Sequence, residues 1–185
     1  MIYLQQLDGT VLLWIQDHLR FSILDGFWRF ITSLGNAGAL WIALGIGLLC
    51  MKKTRSIGLT MLCALVLNIL MTNVVLKHLV ARPRPFTELE AIIPLIKRPM
   101  DYSFPSGHTA ASFAAAFVAY RMLPKKYGIS LMVIAGQIAF SRLYLGVHYP
   151  SDVLGGIIVG CFAAVISVKL IKSLENRYTM FKTLP

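Results

Sequence analysis

Five long apolar stretches, separated by short polar or basic segments, dominate the pattern of the chain. They cover residues 27–51, 56–76, 107–123, 127–147 and 151–171. A helix needs about 20 mostly apolar residues to cross the hydrocarbon core of a bilayer, and each stretch approaches or exceeds that length. The pattern therefore predicts an all-α integral-membrane bundle of five to six transmembrane helices, with a transmembrane core over residues 27–172.

The segment before these stretches, residues 1–24, has a different pattern. Its apolar positions are interrupted by Gln5, Gln6, Asp8, Gln16, Asp17, His18 and Arg20. Such a composition favours an amphipathic helix that lies in the membrane interface, and a sixth span is the alternative. The segment lacks the basic start and small-residue cleavage site of a removable signal peptide. Because no linker, repeat or low-complexity tract follows, residues 1–185 are predicted to form a single domain.

The basic residues indicate how the bundle is oriented. The chain is 57% hydrophobic and carries a formal net charge of +10. Its clusters follow the first, third and fifth stretches: Lys52, Lys53 and Arg55; Arg121, Lys125 and Lys126; Lys169, Lys172, Arg177 and Lys182. The positive-inside rule makes these ends and the C-terminus cytoplasmic, so the connections 77–106 and 148–151 are extracytoplasmic. This alternation argues against a nucleic-acid-binding surface.

The first outer connection opens with the stretch KHLVARPRPF, which contains Lys77, Arg82 and Arg84. Each arginine precedes a proline, which disfavours helix and holds the arginines on extended backbone. The stretch therefore predicts a rigid basic edge. A lysine that snorkels from the end of its helix, beside two surface arginines, is the simpler alternative.

The same connection ends with the stretch DYSFPSGHTAAS. Pro105 and Ser106 are typical of a helix start, and Gly107 lets a ligand approach the backbone closely. A helix amino end has unpaired N–H groups and binds phosphate. Capping alone explains Ser106 and Gly107 but not His108, whose imidazole is open to a catalytic, core or surface interpretation.

The stretch SRLYLGVHYPSD places Arg142 at the outer end of the fourth apolar stretch and His148 in the turn after it, with Asp152 at the start of the fifth. A guanidinium near membrane depth is costly and usually faces a partner or a wet cavity. His148 with Asp152 four residues later resembles a base or nucleophile with its orienting carboxylate, although a structural Arg–His–Asp network remains an alternative. Cations, a helix amino end and two histidines on one membrane face suit phosphoryl transfer. Metal catalysis is disfavoured because, apart from Asp152, the connections offer only Glu88, Glu90 and Asp101.

Together these stretches resemble the three motifs of the type 2 phosphatidic acid phosphatase superfamily. The motifs K-x6-RP, PSGH and SR-x5-H-x3-D all match without a substitution and in order. The resemblance implies that His148 attacks phosphorus and forms a phosphohistidine, that Asp152 orients it, and that His108 is the general acid and then the base. It also implies that the phosphoryl oxygens are held by Lys77, Arg84, Ser106, Gly107 and Arg142. No metal and no organic cofactor is expected.

The resemblance further implies a small bacterial membrane lipid phosphatase, with a lipid phosphate or diphosphate as substrate and membrane lipids as surroundings. Undecaprenyl diphosphate is the expected substrate, and phosphatidylglycerophosphate or phosphatidate is the alternative. An anion transporter and a catalytically inactive lipid-binding protein are the rivals from other classes. In the 86–104 connection, Ile92, Ile93, Leu95 and Ile96 either dip into the interface beside a lipid tail, with Lys97 or Arg98 on a second phosphate, or anchor the loop by packing.

Overall fold

The computed structural model describes residues 2–183, which are helical apart from their connections and contain no strand. The helices are α1 (Ile2–Leu19), α2 (Ser22–Leu34), α3 (Ala39–Cys50), α4 (Arg55–Ile69), α5 (Lys77–Val80), α6 (Pro85–Glu88), α7 (Gly107–Met122), α8 (Lys125–Tyr144) and α9 (Pro150–Thr183). A short 3-10 turn, Asn36–Gly38, joins α2 to α3, and a π-helical segment, Leu70–Leu76, joins α4 to α5. The predicted all-α class is confirmed.

Two helical stretches in the described part of the chain are long and apolar enough to cross a membrane, Arg55–Glu88 and Pro150–Arg177. A third candidate is the pair Ser22–Leu34 and Asn36–Cys50, which is bent by 44°. Helices α7 and α8 coincide with two further predicted stretches but are not among these candidates, and α7 has only 16 residues. The protein is thus a multi-pass membrane bundle, whereas the number of spans, five to six, remains a prediction.

Helix α7 lies at the centre of the bundle and packs against α4, α8 and α9. Its contact with α9 is close because α9 presents glycines. A Cβ added at Gly160 would lie 2.3 Å from the carbonyl oxygen of Ala110, and one at Gly156 would lie 2.8 Å from that of Ser106. Small residues permit such close approach of helices in membranes. The packing brings the amino ends of α7 and α9 together.

The span that begins at α4 is irregular near its end. The π-helical segment Leu70–Leu76 widens the helix before α5, and α5 is followed by Ala81, whose φ is 46°. Segments of π-helix occur frequently at functional sites. Lys77 lies where the segment ends, and its side chain is buried in the bundle.

The first apolar stretch, 27–51, is broken near its middle. Ala37 and Gly38 both adopt left-handed backbone conformations, with φ of 51° and 70°. Glycine accepts this conformation freely, whereas alanine does so at a cost of about 1–2 kcal/mol. The break therefore forms although the conformation of Ala37 is locally unfavourable. It places Gly35 and Asn36 beside the amino end of α7.

Helix α1 packs along the same end of the bundle through Asp8, Leu12 and Ile15, which recur at helical spacing and are buried. Gln16 on this side donates to the carbonyl oxygen of Leu143, at 3.0 Å. The outward side of α1 carries exposed apolar residues: Tyr3, Leu7, Val11 and Trp14. Its place in the membrane interface remains a prediction.

Candidate active site

The residues predicted from the three motifs converge at one end of the bundle. His148 and Asp152 lie where α8 turns into α9, Arg142 lies in the last turn of α8, and Lys77 and Arg84 approach from the 77–85 segment. All five residues are buried, with between 0 and 8% of their surface exposed. His108 lies within electrostatic range of His148 and of the cations Lys77, Arg84 and Arg142.

His148 is held between a carboxylate and a guanidinium. Its Nδ1 lies 3.5 Å from Oδ2 of Asp152, and its Nε2 lies 3.4 Å from Nη1 of Arg84. The same Oδ2 accepts from the backbone N–H of Tyr149 at 2.8 Å and from the Ser103 hydroxyl at 2.5 Å. Asp152 is therefore fixed from several sides. It can hold a proton on Nδ1 and leave Nε2 of His148 facing Arg84.

The surroundings of His148 hold its pKa below the ordinary value and so favour a neutral ring. Burial is the main cause that lowers its pKa to about 4; the contact with Asp152 opposes this shift, and the positive charges of Arg84 and Arg142 add to it. A neutral imidazole keeps the lone pair that a nucleophile needs.

Arg82 joins Asp152 to the amino-terminal helix. Its Nη1 donates to Oδ1 of Asp152 at 2.8 Å and to the Ser151 hydroxyl at 2.6 Å, and its Nη2 donates to Oδ2 of Asp8 at 2.7 Å. Its guanidinium also stacks 4.0 Å from the ring centre of Tyr149. Both oxygens of Asp152 are thus engaged, and the segment that carries His148 and Asp152 is tied to α1.

Lys77 and Arg84 share the carboxylate of Asp101. Lys77 pairs with its Oδ2, and Nη2 of Arg84 donates to its Oδ1 at 2.7 Å. Partial burial would raise the pKa of Asp101, but the hydrogen bonds and charges of Lys77 and Arg84 outweigh it and lower that pKa to about 2. Arg84 is further fixed by donating to the carbonyl oxygens of Asp101 and Val147, each at 2.8 Å.

Arg142 is a buried cation without an acidic partner. The residue is 3% exposed, its Nη1 donates to the Thr32 hydroxyl at 2.5 Å, and its Nε has no hydrogen-bond partner. No carboxylate among the described residues lies within ion-pair distance of it. Buried charges are normally paired because their desolvation is costly, so this site favours an anion.

The amino end of α7 begins at Gly107, with Ser106 at the N-cap position. The Ser106 side chain makes no capping bond, contrary to the simple capping interpretation; its hydroxyl accepts from Thr109 at 3.0 Å, and its backbone N–H donates to the Asp152 carbonyl at 3.0 Å. A Cβ at Gly107 would lie 3.9 Å from Nζ of Lys77, so the bare backbone faces this cation. Nε2 of His108 lies 3.0 Å from Oδ1 of Asn36.

A cavity of about 380 Å³ adjoins this end of α7. Its lining includes the polar side chains of Lys77 and His108, the backbone of Gly107 and the apolar residues Ile42, Leu65 and Ile69. Asn68 also lines it, with a buried Oδ1 that has no partner, so the interhelical hydrogen bond expected of a polar residue in a span is absent at this atom. The cavity thus combines one cationic side chain, that of Lys77, with an apolar wall.

Residues 56–175 match the family model described as PAP2 superfamily. The chain belongs to the PAP2 superfamily. The match spans all three motifs, and the family explains why three distant segments are brought to one end of the bundle. Within the part of the chain that the structure describes, no group of three or more His, Cys, Asp or Glu side chains is arranged to hold a metal ion.

Three individual PAP2 proteins illustrate the similarity. The chain is 32% identical over 154 residues to an undecaprenyl-diphosphatase of Sulfolobus acidocaldarius, covering 83% of this chain and 74% of that protein. It superimposes on the crystal structure of Aquifex aeolicus LpxE with a TM-score of 0.77 and 30% identity, over 86% of this chain and 93% of the other. For the transmembrane PAP2-type phosphatidylglycerolphosphate phosphatase of Bacillus subtilis the TM-score is 0.75 and the identity 29%, over 96% and 88%. The chain is thus one of the lipid phosphatases of the PAP2 superfamily.

Several supporting residues of the site were not identified from the sequence. In the sequence, Asp8 is only a polar interruption of the first segment, Arg82 is part of the rigid basic edge or a surface charge, and Asp101 is a carboxylate without an assigned role. Ser103, which binds Asp152, was not singled out. The spacing of the PAP2 motifs carries no signal for these residues. Arg82 lies two positions before Arg84, and Asp101 lies five positions before Ser106, so closeness to a motif in the chain is the one available signal.

In the 86–104 connection, Ile92, Leu95 and Ile96 fit the packing interpretation, whereas Ile93 is 66% exposed. Ile92 is buried against Leu12 and Tyr149. Leu95 and Ile96 pack against a second buried cluster that contains Leu145 and Val147. Lys97 and Arg98 are exposed, and Arg98 lies over the ring of Phe86, 5.6 Å from its centre. A contact of either cation with a second phosphate has no support in these positions.

Proposed function

We propose that the protein removes a phosphate group from a lipid phosphate or diphosphate through a phosphohistidine at His148, with undecaprenyl diphosphate as its principal substrate. The buried, unpaired guanidinium of Arg142 beside the two histidines carries this proposal. The net charge of this group of side chains is +2, because the three cations Lys77, Arg84 and Arg142 are accompanied by the single carboxylate of Asp101. A phosphoryl dianion carries the matching charge, about −2.

In the first step, Nε2 of His148 attacks phosphorus and the bond from phosphorus to the leaving oxygen breaks. Asp152 accepts a hydrogen bond from the Nδ1–H of His148 and stabilises the positive charge that develops on the ring. The three cations, the Ser106 hydroxyl and the Gly107 N–H bind the equatorial oxygens, where charge is spread in the transition state. His108 donates its proton to the leaving oxygen.

In the second step, water attacks phosphorus and the bond to Nε2 of His148 breaks. His108, which lost its proton in the first step, accepts one from the attacking water, so each turnover restores both histidines. Inorganic phosphate then leaves the site. All charge stabilisation in this scheme comes from side chains and backbone N–H groups, so chelators are expected to have no effect.

The lipid and the side of the membrane follow from separate observations. The similarity to an undecaprenyl-diphosphatase at 32% identity favours the diphosphate, and the apolar wall of the 380 Å³ cavity provides a surface for the first part of a lipid chain. The similarity to a phosphatidylglycerolphosphate phosphatase favours phosphatidylglycerophosphate as the second candidate. The basic clusters that follow the first, third and fifth stretches favour an extracytoplasmic site and a cytoplasmic C-terminus.

The test is phosphate release by purified protein in detergent with EDTA present. Undecaprenyl diphosphate, phosphatidylglycerophosphate and phosphatidate are compared with the wild type and with His148→Ala. The proposal predicts EDTA-resistant release that is fastest from undecaprenyl diphosphate and is absent in the variant. Faster release from phosphatidylglycerophosphate selects the second candidate, and no release from any of the three by folded wild type overturns the proposed enzyme activity.

A further inference from the structure

We propose that Asn36, at the break between α2 and α3, is a positioning residue that fixes the orientation and tautomer of the general acid His108. This inference rests on the proposed function, in which His108 protonates the leaving oxygen. It assigns a role to the Gly-Asn-Ala-Gly break of the first span, which otherwise has no part in the chemistry.

The contact itself carries the first step. Oδ1 of Asn36 lies 3.0 Å from Nε2 of His108, across 72 residues of sequence. An amide oxygen only accepts hydrogen bonds, so the contact requires a proton on Nε2. Among the described residues the ring makes no other hydrogen bond, and Nδ1 is therefore the nitrogen left to donate a proton to the leaving oxygen and to accept one from water.

The residue before Asn36, Gly35, leaves space for the imidazole ring of His108. A Cβ added at Gly35 would lie 2.8 Å from Cδ2 of His108 and 3.0 Å from Cγ2 of Ile138. The φ of Gly35 is −86°, which any residue adopts, so the backbone conformation does not require glycine there. Space for the imidazole is the remaining reason for glycine. Two neighbouring residues thus fix His108, one by leaving room and one by accepting a hydrogen bond.

The break exists because of the residues that follow. Ala37 and Gly38 turn the chain through left-handed conformations and set α3 at 44° to α2. A continuous helix would carry the side chain of residue 36 along the regular helical surface. The turn instead presents Asn36 to the amino end of α7, and the first span thereby contributes to the site.

The role predicts a specific dependence on the leaving group. A general acid matters most when the leaving oxygen is strongly basic and least when the leaving group is stable without a proton. Loss of Asn36 should therefore impair phenyl phosphate hydrolysis far more than 4-nitrophenyl phosphate hydrolysis. Because kcat/KM reports the steps up to release of the first product, it isolates the proton donation from the later attack of water.

The experiment compares kcat/KM for these two aryl phosphates in wild type, Asn36→Ala, Asn36→Asp and Ser33→Ala. Asn36→Asp keeps an acceptor oxygen, and Ser33 is an exposed residue near the same break whose hydroxyl only donates to the Phe30 carbonyl. For Asn36→Ala we expect a loss of about 10- to 100-fold with phenyl phosphate and less than about 3-fold with 4-nitrophenyl phosphate. Asn36→Asp should recover most of the loss, and Ser33→Ala should match the wild type with both substrates.

Equal losses with both substrates would mean that Asn36 only supports the fold, and no loss with either would remove it from the site; both results overturn the inference.

Gly35→Ala provides a second variant, expected to show the same selective loss because its Cβ displaces the ring of His108. The same comparison is made on lipid-linked substrates with farnesyl phosphate and farnesyl diphosphate. The diphosphate has the better leaving group and so takes the place of 4-nitrophenyl phosphate. A wild type that hydrolyses none of these compounds and none of the three lipids overturns the proposed function itself.

Discussion

Arg82 and Asp152 are joined by an ion pair of 2.8 Å, and the other side of the same guanidinium binds Asp8 at 2.7 Å. The carboxylate predicted to orient the nucleophile is therefore connected, through one arginine, to the amino-terminal helix. Asp8 also accepts from the backbone N–H of Ser151 at 2.9 Å, next to Asp152 in the chain. Helix α1 thus supports the candidate active site.

Asp8→Asn tests this connection. Loss of the carboxylate leaves Arg82 with one acidic partner and loosens Asp152, so kcat should fall about 10-fold, as when supporting partners of functional histidines are removed. The assay is phosphate release from undecaprenyl diphosphate. Asp17→Asn, an exposed carboxylate on the same helix, is the control and should keep wild-type activity. Equal activity of the two variants would exclude a role for the connection.

Arg142→Gln should separate activity from stability. The substitution removes a buried charge that has no acidic partner, so thermal stability in detergent should be unchanged or higher. The same charge is proposed to bind a phosphoryl oxygen in the transition state, so kcat/KM should fall at least about 100-fold. Unfolding temperature and phosphate release are measured on the same preparation. A strong loss of stability would indicate instead that Arg142 is a structural residue.

The protonation of His148 can be followed directly by ¹⁵N NMR of histidine-labelled protein in detergent, with His148→Ala to assign the signal. Because burial lowers its pKa to about 4, the ring should remain neutral from pH 7 down to about 5 and take up a proton near pH 4. Protonation near 6.5, the ordinary value for histidine, would mean that the ring is not held in a buried cationic site.

The ion pairs of Asp101 predict a pH dependence of stability. Its folded-state pKa of about 2 lies below the ordinary value of 3.8, so its contribution is fully present above about pH 4 and is lost as pH falls towards 2. Asp101→Asn should therefore unfold at a lower temperature than wild type at pH 5, and the difference should shrink between pH 4 and pH 2. Asp17→Asn should show no such convergence. A constant difference over this range would argue against the two ion pairs.

The close contact of α7 and α9 predicts an effect at Gly160. A Cβ there would lie 2.3 Å from the backbone oxygen of Ala110, so Gly160→Ala forces the helices apart and should cost about 1–3 kcal/mol in the free energy of unfolding. Gly136→Ala in α8 has no atom within 4 Å of the new Cβ and should be neutral or stabilising. Denaturant unfolding of both variants measures the difference, and equal stability would contradict the packing.

The sequence predicted the helical class and the motif residues because each signal is local. Apolar runs indicate membrane helices, and the motifs carry their own spacing, so the sequence alone identifies Lys77, Arg84, Arg142 and His148. Asp8, Asn36 and Asp101 were not assigned to the site because their roles depend on contacts with segments that are distant in the chain. Gly35, Asn36 and Gly38 do indicate a kink in the first span near the site, but the left-handed conformation of Ala37 and the role of Asn36 have no local signature.

The most direct test of the histidine mechanism uses His108→Ala with 4-nitrophenyl phosphate, whose leaving group needs no general acid. The first step should proceed, whereas the second step lacks its base, so phosphorylated protein should accumulate. We expect a burst of 4-nitrophenol equal to the amount of protein, with the phosphate on His148 by mass spectrometry after an alkaline quench and no burst in His148→Ala. Steady release without a burst and without phosphorylated His148, in folded protein, would contradict a phosphohistidine intermediate.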